Sequence, residues 1–181
     1  MKVSILVSTL ALCALSSCQK KGEVNHYQVE KTKAAPHAAV EVTQTAQAPY
    51  TWTLPAGWSA KPASGMRLAT IVIPANGSTL EASVTEFGGD LAGNINRWRG
   101  QLGMTPLPEA EVISSLEKVQ TGLGDGYIAQ LVNKDSPEKA MLAAIIPRPS
   151  GTSVFVKLSS DAETLNRIAP AFTQFTQSIS Q

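Results

Sequence analysis

The sequence predicts an α+β domain, an antiparallel β-sheet built from hairpins and covered by a mid-chain helix and a C-terminal helix. Three observations carry this. Short alternating apolar runs come in pairs around tight-turn residues, the pattern of hairpins. Two other segments repeat apolar residues every three or four positions, the pattern of helices with one buried face. Finally, the strand-like runs outnumber the helical ones, which argues for helices laid on a sheet.

Taken in order, Tyr50-Thr51-Trp52-Thr53-Leu54 alternates like a strand, and Pro55-Ala56-Gly57-Trp58 turns out of it. Leu68 to Ile73 and Leu80 to Phe87 are the next two strands, joined through Asn76-Gly77, which supplies the positive φ angles of a tight hairpin. A helix follows over Leu91 to Leu102, with Asp90 as its N-cap, and a short one begins near Pro108. Glu117 to Leu123 and Tyr127 to Val132 pair around Gly124-Asp125-Gly126; Met141 to Ile146 and Ser153 to Leu158 pair around Pro147 to Thr152. The last helix spans Asp161 to Ile179. Its stripe is Leu165, Ile168, Phe172, Phe175 and Ile179, Ser160 with Glu163 matches a capping box, and Pro170 predicts a kink or a split.

Everything before this domain reads differently. Lys2 and the apolar run Val3 to Leu15 have the length of a signal-peptide core, too short for a permanent span of ~20 residues. Leu15-Ser16-Ser17-Cys18 resembles the bacterial lipobox, with small residues before the cut and a thiol to carry the lipid. The expected organisation is a signal peptide over 1–17, lipidated Cys18 and a flexible tether over 18–48, and a single globular domain over 49–181. Several acyl chains on one cysteine would anchor the chain firmly to a membrane. Gln19 is not the aspartate that retains such proteins at the inner membrane, so an outer-membrane, periplasm-facing location is expected. Residues 19–48 are rich in Ala, Gln, Thr, Lys and Glu, and as flexible coil would span roughly 30 Å.

That cut also fixes charge and cysteine chemistry. Fifteen basic residues less Lys2 leave 14 against 14 acidic, so nothing electrostatic invokes nucleic acid. Cys13 leaves with the signal, Cys18 takes the lipid, and no thiol remains. The two histidines, His26 and His37, sit in the tether without neighbouring thiols, a poor metal-ligand set. Beyond Val40 there is no His and no Cys, which excludes Ser-His-Asp and Cys-His catalysis and the usual zinc, haem and iron–sulfur ligation. No metal or cofactor is expected. Ser115-x-x-Lys118 and Ser136-x-x-Lys139 carry the spacing of a serine acyl-transfer pair but lack companion motifs.

One segment concentrates chemistry. Asn94-Ile95-Asn96-Arg97-Trp98-Arg99-Gly100-Gln101-Leu102 holds two arginines, a tryptophan and three amides. Wound at 100° per residue, Leu91, Ile95, Trp98 and Leu102 form the buried stripe, so Trp98 is core. Asn94, Arg97 and Gln101 form an adjacent polar strip, with Arg99 flanking the stripe on its other side. Such a surface can grip a carboxylate, a phosphate or a peptide backbone. It can equally hold the helix to its own domain through internal carbonyls. Asn94, Arg97, Arg99 and Gln101 are therefore the candidate ligand- or partner-binding residues.

The strand before LPAGW, the hairpins and the closing helix resemble the PsbP-like superfamily of small α/β/α sandwich domains. The run GMRLATIVIP, ASVTEF, NINRWRGQLG and SVFVKLSS, with its C-terminal helix, is similar to an uncharacterised family of bacterial lipoproteins. PsbP-like domains are mostly accessory proteins that dock on larger complexes, and the resemblance brings no catalytic residue. The reading is a lipid-anchored envelope accessory or binding domain, non-catalytic, taking a protein or a small anionic ligand. The alternatives are a small envelope hydrolase using carboxylate or Ser/Lys chemistry, and a structural envelope lipoprotein.

Overall fold

The computed structural model describes residues 49–181; the expected signal peptide and tether, with Cys18 and both histidines, lie outside them. Seven strands form one sheet: β1 (Ser59–Lys61), β2 (Ala69–Ala75), β3 (Ser78–Gly88), β4 (Glu117–Thr121), β5 (Gly124–Val132), β6 (Ala140–Pro147) and β7 (Thr152–Ser160). Their spatial order is β1-β2-β3-β7-β6-β5-β4, and every pairing is antiparallel. Helices α1 (Leu91–Gln101) and α2 (Glu109–Ser114) pack on one face, and α3 (Ala162–Gln177) on the other. The fold is the α+β class the sequence predicts.

The β2–β3 hairpin closes as expected through Asn76 at φ +44° and Gly77 at φ +77°. Elsewhere the sequence reading needs correction. Tyr50 to Leu54 is not a strand: Thr51 makes an isolated bridge with Ser180, while the outermost strand is β1, inside a stretch expected to be loop. This segment alternates because Tyr50, Trp52 and Leu54 pack on the α3-side core; Trp52, and Trp58 beyond the segment, meet Phe175 of α3 at ring separations of 6.1 and 6.0 Å. The β4–β5 turn is Gly122-Leu123, two residues before the expected glycine run, because Thr121 pairs with Gly124. Added at Gly122, a Cβ would come within 2.5 Å of the Ser180 Cβ, which accounts for that glycine by close approach.

Helix α3 starts at Asp161 rather than through the Ser160–Glu163 box; the Asp161 carboxylate accepts from the Thr164 N–H at 2.8 Å. A charged cap is the stronger acceptor and complements the helix dipole, and that bond holds the Asp161 carboxyl below its ordinary range. The helix also runs through Pro170 in one piece. The hydrogen bond that proline cannot make would end on Asn166, on the exposed side, where the carbonyl is open to solvent.

Two cores result. Under α3, strands β2, β3, β6 and β7 contribute Ile71, Ile73, Val84, Leu142, Ile146, Val154, Val156 and Leu158 to a layer closed by Leu165, Phe172 and Phe175. Under α1 and α2, Ala129, Leu131, Met141, Ala143, Ile145 and Phe155 meet Ile95, Trp98 and Val112. The second core draws nothing from β1, β2 or β3. On that face the outer three strands present Ser59, Lys61, Thr70, Val72, Glu81, Ser83 and Thr85 instead. Helical cover therefore stops at β7.

Candidate functional site

Asp90 caps α1, its carboxylate accepting from the Gly93 N–H at 2.6 Å, and so orients everything along the helix. As the periodicity requires, Ile95 and Trp98 are buried, and Trp98 meets Phe155 edge-on at 5.8 Å. The four candidate residues then take different jobs. Asn94 is buried: its Nδ2 donates to the Asp90 carbonyl at 2.9 Å, and its Oδ1 accepts from Arg97 at 2.7 Å. It positions Arg97. Arg99 donates from Nε to the Thr105 carbonyl at 2.9 Å and braces the loop after the helix.

Asn96, which the sequence reading passed over, does more for that loop. Its amide donates to the Leu107 carbonyl at 2.8 Å and accepts from the Leu107 N–H at 2.9 Å, closing a two-bond clamp. Asn133 adds a bond to the Leu102 carbonyl at 2.9 Å. Three polar side chains thus fix residues 102–107 to the domain. The signal for Asn96 is that its amide matches a peptide's donor and acceptor, but only the fold says which peptide is opposite.

Arg97 and Gln101 remain, one helical turn apart, and both face the step where helical cover ends. Arg97 lines a recess of ≈ 150 Å³ with Ser83, Thr85, Phe87, Trp98, Phe155 and Lys157. Gln101 lines a more open one of ≈ 370 Å³ that includes Met141, Ser159, Lys139 and Glu138. Lys157 lines both, so the two recesses adjoin and are together termed the groove along the flank of α1. The register places the floor: Lys157 lies opposite Ser83 on β3 and Ala143 on β6, and Phe155 opposite Thr85 and Ile145.

Charge is uneven along this groove. Neither Arg97 nor Lys157 has a carboxylate partner among the described residues, whereas Lys61 and Arg67, on the same sheet face, share Glu81. The Glu81 carboxyl is held below its ordinary range chiefly by its bond to Lys61. Glu86, five residues further along β3, falls on the opposite face, where it accepts from Tyr50 at 2.8 Å and from Thr152. These two acids do not form a catalytic pair. Among the described residues no cluster of His, Cys, Asp and Glu could hold a metal ion. Ser115 donates to the Val112 carbonyl at the end of α2, while Lys118 sits on β4.

Sequence reasoning missed Lys157, Ser83 and Thr85. Their signal is the exchange of apolar for polar residues on one strand face: Phe155 gives way to Lys157 and Ser159, while Val154, Val156 and Leu158 on the other face stay apolar.

No protein-family model matches the sequence, and no curated protein matches it. Among solved structures the chain is similar to the cyanobacterial PsbP (CyanoP) of Synechocystis sp. PCC 6803, at 15% identity and a TM-score of 0.45, covering 74% of this chain and 87% of that one. It is also similar to LpqN of Mycobacterium tuberculosis, a protein involved in cell envelope biogenesis. There the identity is 15% and the TM-score 0.38, covering 72% of this chain and 82% of LpqN.

Proposed function

We propose that this chain is a lipid-anchored, non-catalytic envelope domain that binds a small anionic ligand, or an anionic group on a protein partner, in the groove beside α1. One observation carries the reading. Arg97 and Lys157, two cations without carboxylate partners among the described residues, face one recess together with the hydroxyls of Ser83 and Thr85. A carboxylate or phosphate there would gain charge-assisted bonds from a fork-shaped and a point-like cation at once. Asn94 holds the Arg97 side chain in place before any ligand arrives, which reduces the ordering cost of binding. Gln101 extends the grip toward the wider end, and Arg99 supports the site by fixing the loop behind it.

The test is calorimetric titration of the protein with inorganic phosphate and with succinate. Saturable binding that Arg97→Ala and Lys157→Ala each weaken at least about tenfold supports the groove. Anions that bind equally well to both variants, or not at all, sink it.

The anchor is part of the same proposal. Apolar run, small residues and Cys18 agree on lipidation, and Gln19 favours the outer membrane with the domain facing the periplasm. Cys18→Ser is expected to release the protein from the membrane fraction and to abolish labelling by a palmitate analogue. Unchanged fractionation of that variant would overturn the anchor without touching the groove.

A further inference from the structure

A second recess, of ≈ 270 Å³, opens on the opposite face of the sheet, where α3 passes the β2–β3 turn. We infer that it is a binding site for a neutral sugar unit, held by Trp58, Asn76, Thr164 and Arg167 over an apolar floor of Ile73 and Ile168. The argument rests on how charge and shape combine there.

Shape comes first. Trp58 is half-buried and fixed from behind by Phe175, so its indole is a rigid wall rather than a mobile side chain. Ile73 is fully buried and Ile168 is 9% exposed, so the floor is apolar and packed into the core. On the rim, Asn76 occupies the left-handed position of a tight turn, and its amide has no hydrogen-bond partner among the described residues. A recess with one aromatic wall, an apolar floor and planar polar groups at its rim suits a ring with an apolar C–H face and hydroxyls around its edge. A pyranose has that form.

Charge then separates a sugar from an acid. Among the described residues Arg167 is the only charged side chain lining the recess, and it is compensated: it pairs with Glu163 one turn back on α3 and donates to the Thr164 hydroxyl at 2.9 Å. The guanidinium retains further N–H donors but contributes little net charge. A carboxylate entering here would find the Arg167 charge already offset by Glu163, whereas hydroxyl acceptors need only the free N–H groups. The groove beside α1 has the opposite balance, so the two sites select different chemistry.

Proton–nitrogen NMR of the tryptophan indoles tests this directly, because the sequence holds three tryptophans and each site contains one. The indole signals are assigned by loss in Trp52→Phe, Trp58→Phe and Trp98→Phe. Methyl β-glucoside and methyl β-glucuronoside, identical rings differing in one carboxylate, are the probes. The expected result is a saturable shift of the Trp58 signal with the glucoside at roughly millimolar Kd, at least about threefold weaker with the glucuronoside. Asn76→Gly, which removes the amide but keeps the left-handed turn conformation, should leave the melting temperature nearly unchanged and weaken the glucoside at least about fivefold. A shift confined to Trp98, tighter binding of the glucuronoside, glucoside affinity unchanged in Asn76→Gly, or a Trp58 signal that stays fixed at tens of millimolar glucoside would each overturn the inference.

Discussion

The two faces of the sheet are closed to different extents, and the difference teaches where function can sit. The α3 face is sealed from β2 across to β4 by twenty buried residues in one cluster, while the α1 face has ten, all from the half of the sheet beyond β3 or from its helices. Strand β6 explains how one sheet serves both. AMLAAIIP is apolar without alternation and buried nearly throughout, as a central strand covered on both sides must be. Strands β2 and β3 alternate, feeding only the α3 face. The step between covered and bare sheet falls between β7 and β3, and the candidate groove lies along it.

If the α3 face is the principal core, cutting it should cost most. Phe172→Ala is expected to destabilise by about 4 kcal/mol and Trp98→Ala by about 3 kcal/mol, because the smaller layer beside open sheet can relax or admit water. Urea unfolding measures both. A larger loss from Trp98→Ala would invert the ranking of the faces.

A smaller effect tests how the start of the domain is tied to the α3 face. Glu86 accepts from Thr152 and Tyr50, and those bonds, in that order, hold its carboxyl below the ordinary value of 4.5. The Tyr50 hydroxyl is pushed up, first by burial and then by Glu86. A depressed carboxylate contributes stability that is present above its unfolded pKa and is lost as pH falls through the folded pKa. Glu86→Gln should therefore cost about 1 kcal/mol at pH 7, and its deficit should shrink as both proteins are titrated below the ordinary carboxylate range. A deficit independent of pH would mean that Glu86 acts by packing alone.

The same contrast shows what was legible from the sequence. Apolar patterning and turn residues located α1, α3 and six of the seven strands to within a few residues, because burial leaves a pattern. Three features were hidden. Strand β1 is three exposed residues with no period to read. The Tyr50 to Leu54 alternation came from Tyr50, Trp52 and Leu54 packing on the α3-side core, not from a ladder. At the site, the helix wheel separated stripe from strip but could not say which polar residues meet a neighbouring loop, since Asn96, Arg99 and their carbonyl partners are 6 to 11 residues apart. Lys157 reaches the groove only through strand pairing with β3, a relation between residues 74 positions apart (157 less 83).

Gly100 sharpens the picture of α1 as a rigid rim. A Cβ there would meet nothing within 4 Å, so this glycine gives the helix no close approach in return for its conformational freedom. Gly100→Ala should stabilise the protein by roughly 0.5–1 kcal/mol in thermal or urea unfolding, with the anion groove unaltered. Loss of anion binding in this variant would mean that α1 must flex for the groove to open.

The smallest expected change in stability is the most informative, because it separates two arginines two residues apart. Arg99 reaches a carbonyl of the loop it braces, so Arg99→Ala removes a charged donor and should cost about 1 kcal/mol. Arg97 bonds only the Asn94 side chain on its own helix and is otherwise exposed to the groove, so Arg97→Ala should fall within about 0.5 kcal/mol of the parent. Phosphate affinity should divide the other way, lost in Arg97→Ala and largely kept in Arg99→Ala. A residue whose removal leaves the fold intact yet abolishes binding is there for the ligand. If both variants lose stability and binding in parallel, both arginines are scaffold, and the step in the sheet is only a place where the cover ends.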